Sequence, residues 1–254
     1  MTPAQSRASW SLAHAGEVPY ITFDGLDEFS WIVHGLSVVW GGDPERSGQP
    51  LRRALCDGSA RFVSLRQVHG ADVIAIAHGD ASPARAPGEE WCAGDADGLA
   101  TDVPGLALEI RVADCVPLFA VDPVRRAIGL AHAGWRGTIA GVGAQLVAAL
   151  GARFGTRPDE LHIWIGPSIG PECFEVGPEV AAAFRDAFGA EILPDARHVD
   201  LHAAHRLAFA RAGLREAHLH TVDLCTVCRR DLLHSHRGSG GTAGRNLAIL
   251  AIRP

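Results

Sequence analysis

Short apolar or alternating runs dominate the pattern of hydrophobic and polar positions along this chain. Runs of this kind, separated by residues that favour turns, are typical of β-strands. The runs that predict strands read RFVSL, DVIAIA, LALEIRV, VPLFAV, AIGLAH, LHIWIG, AHLHTV and LAILAI. We therefore expect much of the fold to be β-sheet.

Longer segments at 138–155, 177–189 and 200–213 have helical character instead. The second and third end in glycine, which commonly closes a helix at its C-terminal cap. Asp200 stands where a side chain would cap the N-terminus of the third. Because strands and helices are mixed without strict alternation, we expect a layered α+β fold with mixed β-sheets flanked by helices.

Two segments rich in glycine and proline predict loops, at 78–98 and at 166–178. The first is long for a compact domain, and we interpret it as a lid or a mobile insertion. The sequence shows neither an internal repeat nor a linker-like segment. We therefore expect a single domain over residues 1–254.

Composition and charge exclude some classes of protein. Hydrophobic residues make up 47% of the 254 positions, which is enough for a sizeable core. The formal net charge is -6 and no run of Lys or Arg stands out, so a nucleic-acid partner is not expected. The sequence lacks the roughly 18 apolar residues of a membrane span and the apolar core of a signal peptide. We expect a cytoplasmic protein without a membrane partner, and the oligomeric state stays open.

The stretch RVADCVPLFAVDPVRRAIGLAHAGWRG holds a cysteine and a histidine on the two arms of a predicted hairpin. Asp122-Pro123 favours a tight turn, because proline presets the backbone at the second turn position. A turn over 122–125 would place Cys115 directly opposite His132, with Cβ atoms about 4.5–5.5 Å apart. That spacing suits two ligands of one Zn²⁺. The alternative is a cysteine packed beside a histidine in the core.

A zinc site needs a third ligand, and the chain holds 6 cysteines and 13 histidines. In a cytoplasmic chain, cysteines are expected as thiols or metal ligands rather than as disulfides. His69 follows the strand RFVSL, at a strand end where functional groups often gather, but spacing alone does not select it over other histidines. Strand alternation points Asp114 away from the face of Cys115. Asp97 belongs either to the pocket wall or to a turn with Gly98.

Downstream of His132, the segment AGWRGT predicts a glycine-rich turn that leads into a helix, with Thr138 as its N-cap. A helix N-terminus offers free N–H groups to an anion, and Arg136 adds a guanidinium that binds phosphate or carboxylate through two hydrogen bonds. The ring of Trp135 can stack on a flat substrate. The alternative interpretation is a surface arginine beside a packed tryptophan.

From RQVHG onward, a series of motifs follows in order along most of the chain. They read RQVHG, DADGLATD, RVADCVPLFAVDP, GLAHAGWRGT, WIGPSIGPECFEVG and DLCTVCRRDLLHSHRGSGGTAGRNLA. In these motifs, and above all in ADCVP followed by HAGWRG, the chain resembles the multicopper polyphenol oxidase (laccase-domain) family. Members of that family are also described as purine nucleoside phosphorylases and as peptidoglycan editing factors. The resemblance implies a layered α+β domain.

The resemblance further implies a catalytic Zn²⁺ on the histidine of QVHG, the cysteine of ADCVP and the histidine of HAGWRG. These residues are His69, Cys115 and His132 in this chain. Three protein ligands leave one coordination position open, as in catalytic rather than structural zinc sites. The implied reaction is phosphorolysis of adenosine or inosine, with methylthioadenosine as a further candidate substrate, or deamination of adenosine. A nucleoside and phosphate are then the small-molecule partners.

Phosphate would lie near Arg136, and the further anion-binding candidates are Arg66, Arg237 and Arg245. The C-terminal motif departs from the family, whose members usually carry FFSHRR or FFSYRR where this chain reads LLHSHRG. The segment keeps Arg237 but lacks the aromatic pair and the second arginine. If it helps to hold the substrate, this chain differs from its relatives in affinity or in choice of base.

Other functions stay open. The same metal and anion-binding residues would serve a hydrolase that removes misincorporated amino acids from peptidoglycan precursors. Copper-dependent oxidation of phenols is less favoured, because four-copper oxidases use several HxH pairs and only HLH and HSH occur here. A non-enzymatic protein, in which the zinc only stabilises the fold, would need a fourth ligand.

A second metal site is a separate hypothesis. Cys225 and Cys228 form the CxxC motif of the chain, and His234 and His236 follow it. Two cysteines spaced in this way and followed by two histidines have the composition of a structural zinc site. The resemblance already accounts for part of both motifs, so the sequence leaves the second metal as an alternative.

Overall fold

The computed structural model describes residues 7–40, 48–56, 60–80 and 88–254. Two mixed sheets form its centre, and their strands are numbered in chain order. In spatial order, the first sheet holds β1 (Arg7–Ala8), β13 (Leu219–Val222), β12 (His162–Ile165), β10 (Val116–Asp122), β11 (Ala127–Ala133), β8 (Gly98–Thr101) and β6 (Val73–Ile76). The second holds β2 (Trp10–Ala15), β3 (Val18–Phe23), β4 (Ile32–Ser37), β14 (Asn246–Ile252), β9 (Leu106–Val112), β5 (Arg61–Arg66) and β7 (Glu90–Asp95).

Helices cover the outer faces of the two sheets. They are α1 (Gly48–Cys56), α2 (Trp135–Ala140), α3 (Val142–Phe154), α4 (Pro178–Phe188) and α5 (Leu201–Arg211), with 3-10 turns at Pro158–Glu160, Ala190–Ile192 and Glu216–His218. Helix α3 packs on β11, β6 and β8, and α5 contacts β13, whereas α1 packs on β4 and β14 of the second sheet. Parallel and antiparallel pairs occur in both sheets. The predicted α+β class, with mixed sheets flanked by helices, is confirmed.

The larger apolar core fills the space between the two sheets. Strand β10 shows how it is built, because every one of its residues is buried. Phe119 points to the second sheet and meets Phe23 edge to face at 5.1 Å, whereas Leu118 points to the helices. Trp164 of the next strand donates a hydrogen bond from its indole nitrogen to the carbonyl of Asp24 at 3.0 Å. A strand covered on both faces reads as a continuous apolar run, which is why β10 is visible in the sequence.

The predicted strands are all present, and their ends differ from the predictions by at most two residues. The predicted helices at 177–189 and 200–213 are α4 and α5. Asp200 is the N-cap of α5 and accepts a hydrogen bond from the backbone N–H of Ala203 at 2.9 Å. Gly189 is the C-terminal cap of α4, while α5 ends at Ala212 with Gly213 as the next residue.

The predicted helix at 138–155 is wrong at its start and in its continuity. It begins three residues earlier, at Trp135, and Gly141 divides it into α2 and α3 by adopting a left-handed conformation with φ +85°. The N-cap is Gly134 rather than Thr138. The hydroxyl of Thr138 instead donates to the carbonyl of Gly134 at 2.9 Å, inside the first turn.

The predicted loop at 78–98 is also wrong in part, because residues 90–95 form β7 and Gly98 begins β8. Residues 81–87 of that loop lie outside the described residues. The loop at 166–178 is present up to Gly177, since Pro178 begins α4. Within the described ranges, none of the helices is long and apolar enough to cross a membrane. The single domain and the cytoplasmic location stay predictions.

Candidate metal centre

Three segments of the chain meet where strands of both sheets end. β5 ends at Arg66 and the chain then reaches His69, β9 ends shortly before Cys115, and His132 lies near the end of β11. A ring nitrogen of each histidine and the Sγ atom of the cysteine all lie within 4.8 Å of one another. The structure therefore brings together the three side chains that were expected as ligands.

The hairpin that carries two of these side chains has a different register from the predicted one. Strand β10 pairs Pro117, not Cys115, with His132. The loop is longer because Asp122 accepts hydrogen bonds from the backbone at 124 and 125, and Arg126 then adopts a left-handed φ of +54°. The shift is two residues, so side chains keep their face of the sheet. Cys115 and His132 consequently meet as diagonal rather than direct neighbours.

His69 is held in an unusual backbone conformation by a buried carboxylate. Its φ is +60°, which is uncommon for a residue with a bulky side chain. The carboxylate of Asp97 accepts hydrogen bonds from the backbone N–H groups of Val68, His69 and Gly70, at 3.2, 3.0 and 2.6 Å. Three converging N–H donors fix the turn, and with it the position of the His69 ring.

The same carboxylate orients the second histidine. Oδ1 of Asp97 lies 2.7 Å from Nδ1 of His132, and the backbone N–H of His132 donates to the carbonyl of Asp97 at 2.7 Å. Both residues are buried. With Nδ1 engaged, Nε2 of His132 is left for a metal, the arrangement in which a carboxylate fixes the tautomer of a metal-binding histidine. The sequence placed Asp97 only at a pocket wall or a turn, and its motif DADG carries no further signal of this role.

The charges of the group favour the ligand form of the cysteine. Burial raises the pKa of Cys115, but hydrogen bonds and charge from His132 and His69 outweigh it and lower the pKa to about 7. Burial lowers the pKa of His132, yet Asp97 and Cys115 together raise it to about 9. Without a metal, these contacts favour a proton on His132 beside a thiolate on Cys115. A bound cation would replace that proton, because metals bind thiolate and neutral imidazole.

Gly134 leaves the space that a metal needs. Its φ of -72° and ψ of 169° suit any residue, so glycine is not required by the backbone. A Cβ atom at this position would lie 2.9 Å from Cδ2 of His69 and 3.2 Å from Sγ of Cys115. The donor set of one sulfur and two nitrogens is one that zinc and related transition metals accept. The residues present therefore fit a metal ion.

Asp114 connects this group to the C-terminal part of the chain. It adopts a left-handed φ of +79° directly before Cys115. Its carboxylate accepts hydrogen bonds from the hydroxyl of Thr226 and from the backbone N–H of Arg237, both at 2.6 Å. The residue thus holds the cysteine-bearing turn against the segment that contains the CxxC motif.

Arg136 and Trp135 occupy the first turn of α2, directly after Gly134. The guanidinium carbon of Arg136 lies 4.2 Å from the centroid of the Trp135 ring. Arg136 is exposed, so its charge is accessible from solvent. Because α2 has only 6 residues, the guanidinium rather than the helix terminus is what the structure offers to an anion. Binding of an anion by Arg136 stays a prediction.

The other predicted anion-binding arginines are exposed and contact protein groups. Arg66 pairs with Asp95 at 3.1 Å. Arg237 donates from its side chain to the carbonyl of Glu175 at 3.0 Å, and Arg245 donates to the carbonyls of residues 243 and 244. Each of these contacts engages one terminal nitrogen of the guanidinium. An anion-binding role for them stays a prediction.

The second predicted metal site has a different composition in the structure. Sγ of Cys225 and Sγ of Cys228 lie within 4.8 Å of each other and of Sγ of Cys173. His234 is instead fixed through its backbone, whose N–H donates to the side chain of Asn246 at 2.9 Å. Neither histidine belongs to the groups of potential ligands found among the described residues. A site built from the two cysteines with His234 and His236 is therefore wrong.

Comparison with known proteins agrees with this picture. A family model described as multi-copper polyphenol oxidoreductase laccase matches residues 39–253. Purine nucleoside phosphorylase YlmD of Geobacillus stearothermophilus is 36% identical, covering 90% of this chain and 93% of its own length. Purine nucleoside phosphorylase YfiH of Escherichia coli is 30% identical, covering 96% and 93%. The crystal structure of YlmD from Geobacillus stearothermophilus matches with a TM-score of 0.81 at 30% identity, covering 96% of this chain and 99% of that one.

Proposed function

From the premise that this chain belongs to the multi-copper polyphenol oxidoreductase laccase family, we propose that it is a zinc-dependent purine nucleoside phosphorylase. The observation that carries the proposal is the convergence of His69, Cys115 and His132 around the space beside Gly134. The names of the relatives support the reaction class. The proposed substrates are adenosine and inosine, with methylthioadenosine as a further candidate.

Zinc is the metal that we propose for this set of ligands. One thiolate and two imidazoles are ligands that catalytic zinc sites use, and three protein ligands leave a coordination position for substrate or solvent. When bound at such a site, zinc acts as a Lewis acid on an oxygen of the substrate. Cys115 contributes a thiolate near neutral pH, and Asp97 keeps the Nδ1 atom of His132 occupied.

In phosphorolysis, an oxygen of phosphate forms a bond to C1′ of the ribose while the bond from C1′ to the purine nitrogen breaks. The purine leaves with the electrons of that bond and takes up a proton. The chain supplies positive charge for phosphate at Arg136, which lies four residues after His132 on the first turn of α2. Trp135 stacks on this guanidinium and limits its movement. Positioning and charge stabilisation are the contributions that such a reaction needs from the protein.

The test is chromatography of the products after incubation of the zinc-loaded protein with adenosine, with and without phosphate. We expect adenine and ribose 1-phosphate only when phosphate is present. His132→Ala should abolish both products, because it removes a ligand and the partner of Asp97. His14→Ala is the matched control, since His14 lies exposed on β2, and it should retain activity.

Other products would favour a different reaction. Inosine formed without phosphate, and lost in His132→Ala, would make deamination of adenosine the principal reaction. If neither adenosine nor inosine is consumed by protein that holds zinc, the nucleoside proposal fails. Hydrolysis at a cell-wall precursor, which uses the same ligands and an anion-binding arginine, then becomes the first candidate.

A further inference from the structure

A second cluster of thiols lies outside the candidate metal centre. It consists of Cys173, Cys225 and Cys228, here called the cysteine triad. The three Sγ atoms all lie within 4.8 Å of one another, and those of Cys173 and Cys228 are 3.7 Å apart. Cys173 comes from the loop before α4, and the other two come from the turn that follows β13. Two distant segments of the chain therefore converge on one point.

The distance between sulfur atoms is compatible with a shared metal and too long for a formed disulfide. Zinc–sulfur bonds of about 2.3 Å in tetrahedral geometry place two thiolates about 3.8 Å apart. The separation of 3.7 Å between Cys173 and Cys228 agrees with that value. A disulfide needs sulfur atoms about 2.05 Å apart, so these side chains would have to move together by more than an ångström.

The backbone stabilises negative charge on one sulfur of the triad, that of Cys225, whereas burial and the other two sulfurs raise the pKa of Cys173. The N–H of Gly170 donates to Sγ of Cys225 at 3.2 Å, and the neighbouring backbone helps to lower the pKa of this thiol. Backbone donors of this kind favour a thiolate over a thiol. Gly170 also accepts a hydrogen bond from the N–H of Cys173 at 3.0 Å, so it fixes both segments.

We propose that the cysteine triad binds a second Zn²⁺ ion through three thiolates. Cys228 is exposed, so the fourth coordination position faces solvent and takes water or a ligand from outside. Binding releases the thiol protons to solvent. This proposal does not depend on the proposed function, since it concerns different side chains and requires no substrate.

The location of the triad places the second zinc beside the residues that support the first site. Thr226 lies between two of the ligands, and its hydroxyl donates to the carboxylate of Asp114 at 2.6 Å. Asp114 precedes Cys115, a ligand of the candidate metal centre. The turn held by the second zinc is therefore the turn that supports the cysteine of the first site.

The experiment counts zinc on the full chain by mass spectrometry of the metal, after reduction, loading with excess zinc and desalting. We expect about two zinc ions per chain, as two independent sites of this type would give. Cys173→Ser combined with Cys228→Ser should remove one ion, and Cys115→Ser should remove the other. Cys92→Ser is the matched control, because Cys92 is also exposed but lies outside both groups, and it should keep both ions.

Cobalt substitution gives an independent readout. Three thiolates on one cobalt ion produce a strong charge-transfer band, whereas one thiolate produces a weak band. We expect the strong band to survive Cys115→Ser and to disappear in the triad variant. If the triad variant does not fold, the zinc count and the cobalt band of the wild-type chain still decide.

One zinc ion per reduced wild-type chain, lost in Cys115→Ser, would overturn the proposal. A second result would also overturn it. In that case the cobalt band is weak, and all three thiols of the triad still react with a thiol reagent after zinc loading. Failure of phosphorolysis by a chain that holds both zinc ions would count against the proposed function alone. A wild-type chain that binds only one zinc ion and still carries out phosphorolysis would count against the triad alone.

Discussion

The candidate metal centre and the cysteine triad each bring three potential ligand atoms within 4.8 Å of one another, but by different means. In the candidate metal centre, one buried carboxylate, that of Asp97, holds both histidines. In the triad, the backbone N–H of Gly170 donates to Sγ of Cys225 and the carbonyl of Gly170 accepts from the N–H of Cys173. The first arrangement concentrates the positioning in one residue, whereas the second distributes it over the backbone.

The difference suits the roles proposed for the two sites. A centre that binds substrate needs its histidines fixed in orientation and tautomer, which a carboxylate achieves and a lone N–H group does not. A site that only supports another site needs its thiolates to stay together. A backbone donor in a tight turn, such as the N–H of Gly170, helps to hold them in place. The candidate metal centre should therefore be disrupted by a single substitution outside its ligands, while the triad should resist one.

The largest expected effect comes from Asp97→Asn. An amide keeps the shape of the carboxylate but loses its charge and presents N–H donors to groups that are themselves donors. We expect the metal-free protein to lose about 3–5 kcal/mol of unfolding free energy, as when one partner of a buried charged pair is removed. Zinc affinity of the candidate metal centre should fall about 10–100-fold. Denaturant unfolding and competition with a zinc chelator measure the two effects.

Asp195→Asn is the matched control for this substitution. Asp195 also accepts from backbone N–H groups, at residues 197 and 198, and contacts Nδ1 of His198 at 2.9 Å, but it is exposed. Solvent screens such a pair, so its loss should lower the free energy of unfolding far less than Asp97→Asn does. Equal effects of the two substitutions would show that burial of Asp97 is not what gives it its role.

His34 sharpens the comparison, because it is as buried as His132 and lacks a carboxylate on its ring. Its Nε2 atom accepts from the backbone N–H of Phe23 at 2.9 Å. Burial lowers its pKa from 6.5 to about 4, with a smaller opposing effect of Asp27. As the pH falls below 6.5, the unfolded chain binds a proton that the folded chain does not. Stability contributed by neutral His34 is therefore lost between pH 6.5 and 4.

At pH 5 this loss amounts to about 2 kcal/mol. His34→Gln keeps an acceptor for the N–H of Phe23 and cannot take up the proton. Between pH 7 and pH 5, the unfolding free energy of wild type should therefore fall by about 2 kcal/mol more than that of the variant. Urea unfolding at the two pH values measures it, and contributions of other histidines cancel between the two proteins. Parallel pH dependences would contradict the assignment.

The fold was predictable where both faces of a strand are buried, and less so elsewhere. Strands β10 and β11 read as nearly continuous apolar runs because other layers cover them on either side. Strand β7 reads EWCAGD and has no buried residue, so its sequence predicts a loop. Its pairing with β5 is parallel and non-local, so no local pattern announces it.

The candidate site was predictable in its residue types but not in its arrangement. The hairpin register depends on the left-handed Arg126, and arginine is not a residue that signals such a conformation. The role of Asp97 arises from the meeting of three segments and leaves no mark on its neighbours. Cys173 was missed as a partner of the CxxC motif because it lies 55 residues before Cys228. The sequence instead predicted His234 and His236, which follow the CxxC motif closely.

Gly134→Ala tests whether the space beside the ligands is needed by the metal. The backbone angles of Gly134 suit alanine, so the fold should tolerate the change. The new Cβ would lie 2.9 Å from Cδ2 of His69 and would force that ring to move. We expect about a tenfold loss of zinc affinity at the candidate metal centre, which is about 1.4 kcal/mol. Thermal unfolding of the metal-free protein should stay near that of wild type; unchanged zinc affinity would show that the ring is not held where a metal requires it.

Gly170→Ala makes the corresponding change at the triad and should have the smallest effect. A Cβ atom there would lie 3.2 Å from Cβ and 3.3 Å from Sγ of Cys225, contacts that a shift of a few tenths of an ångström relieves. The N–H of residue 170 remains and still donates to the sulfur. Because positioning in the triad is shared among several backbone donors, we expect zinc affinity there to fall less than about threefold, or about 0.7 kcal/mol. Chelator competition on the Cys115→Ser background isolates the triad. A loss larger than that caused by Gly134→Ala at the candidate metal centre would contradict the view that the triad tolerates single changes outside its ligands.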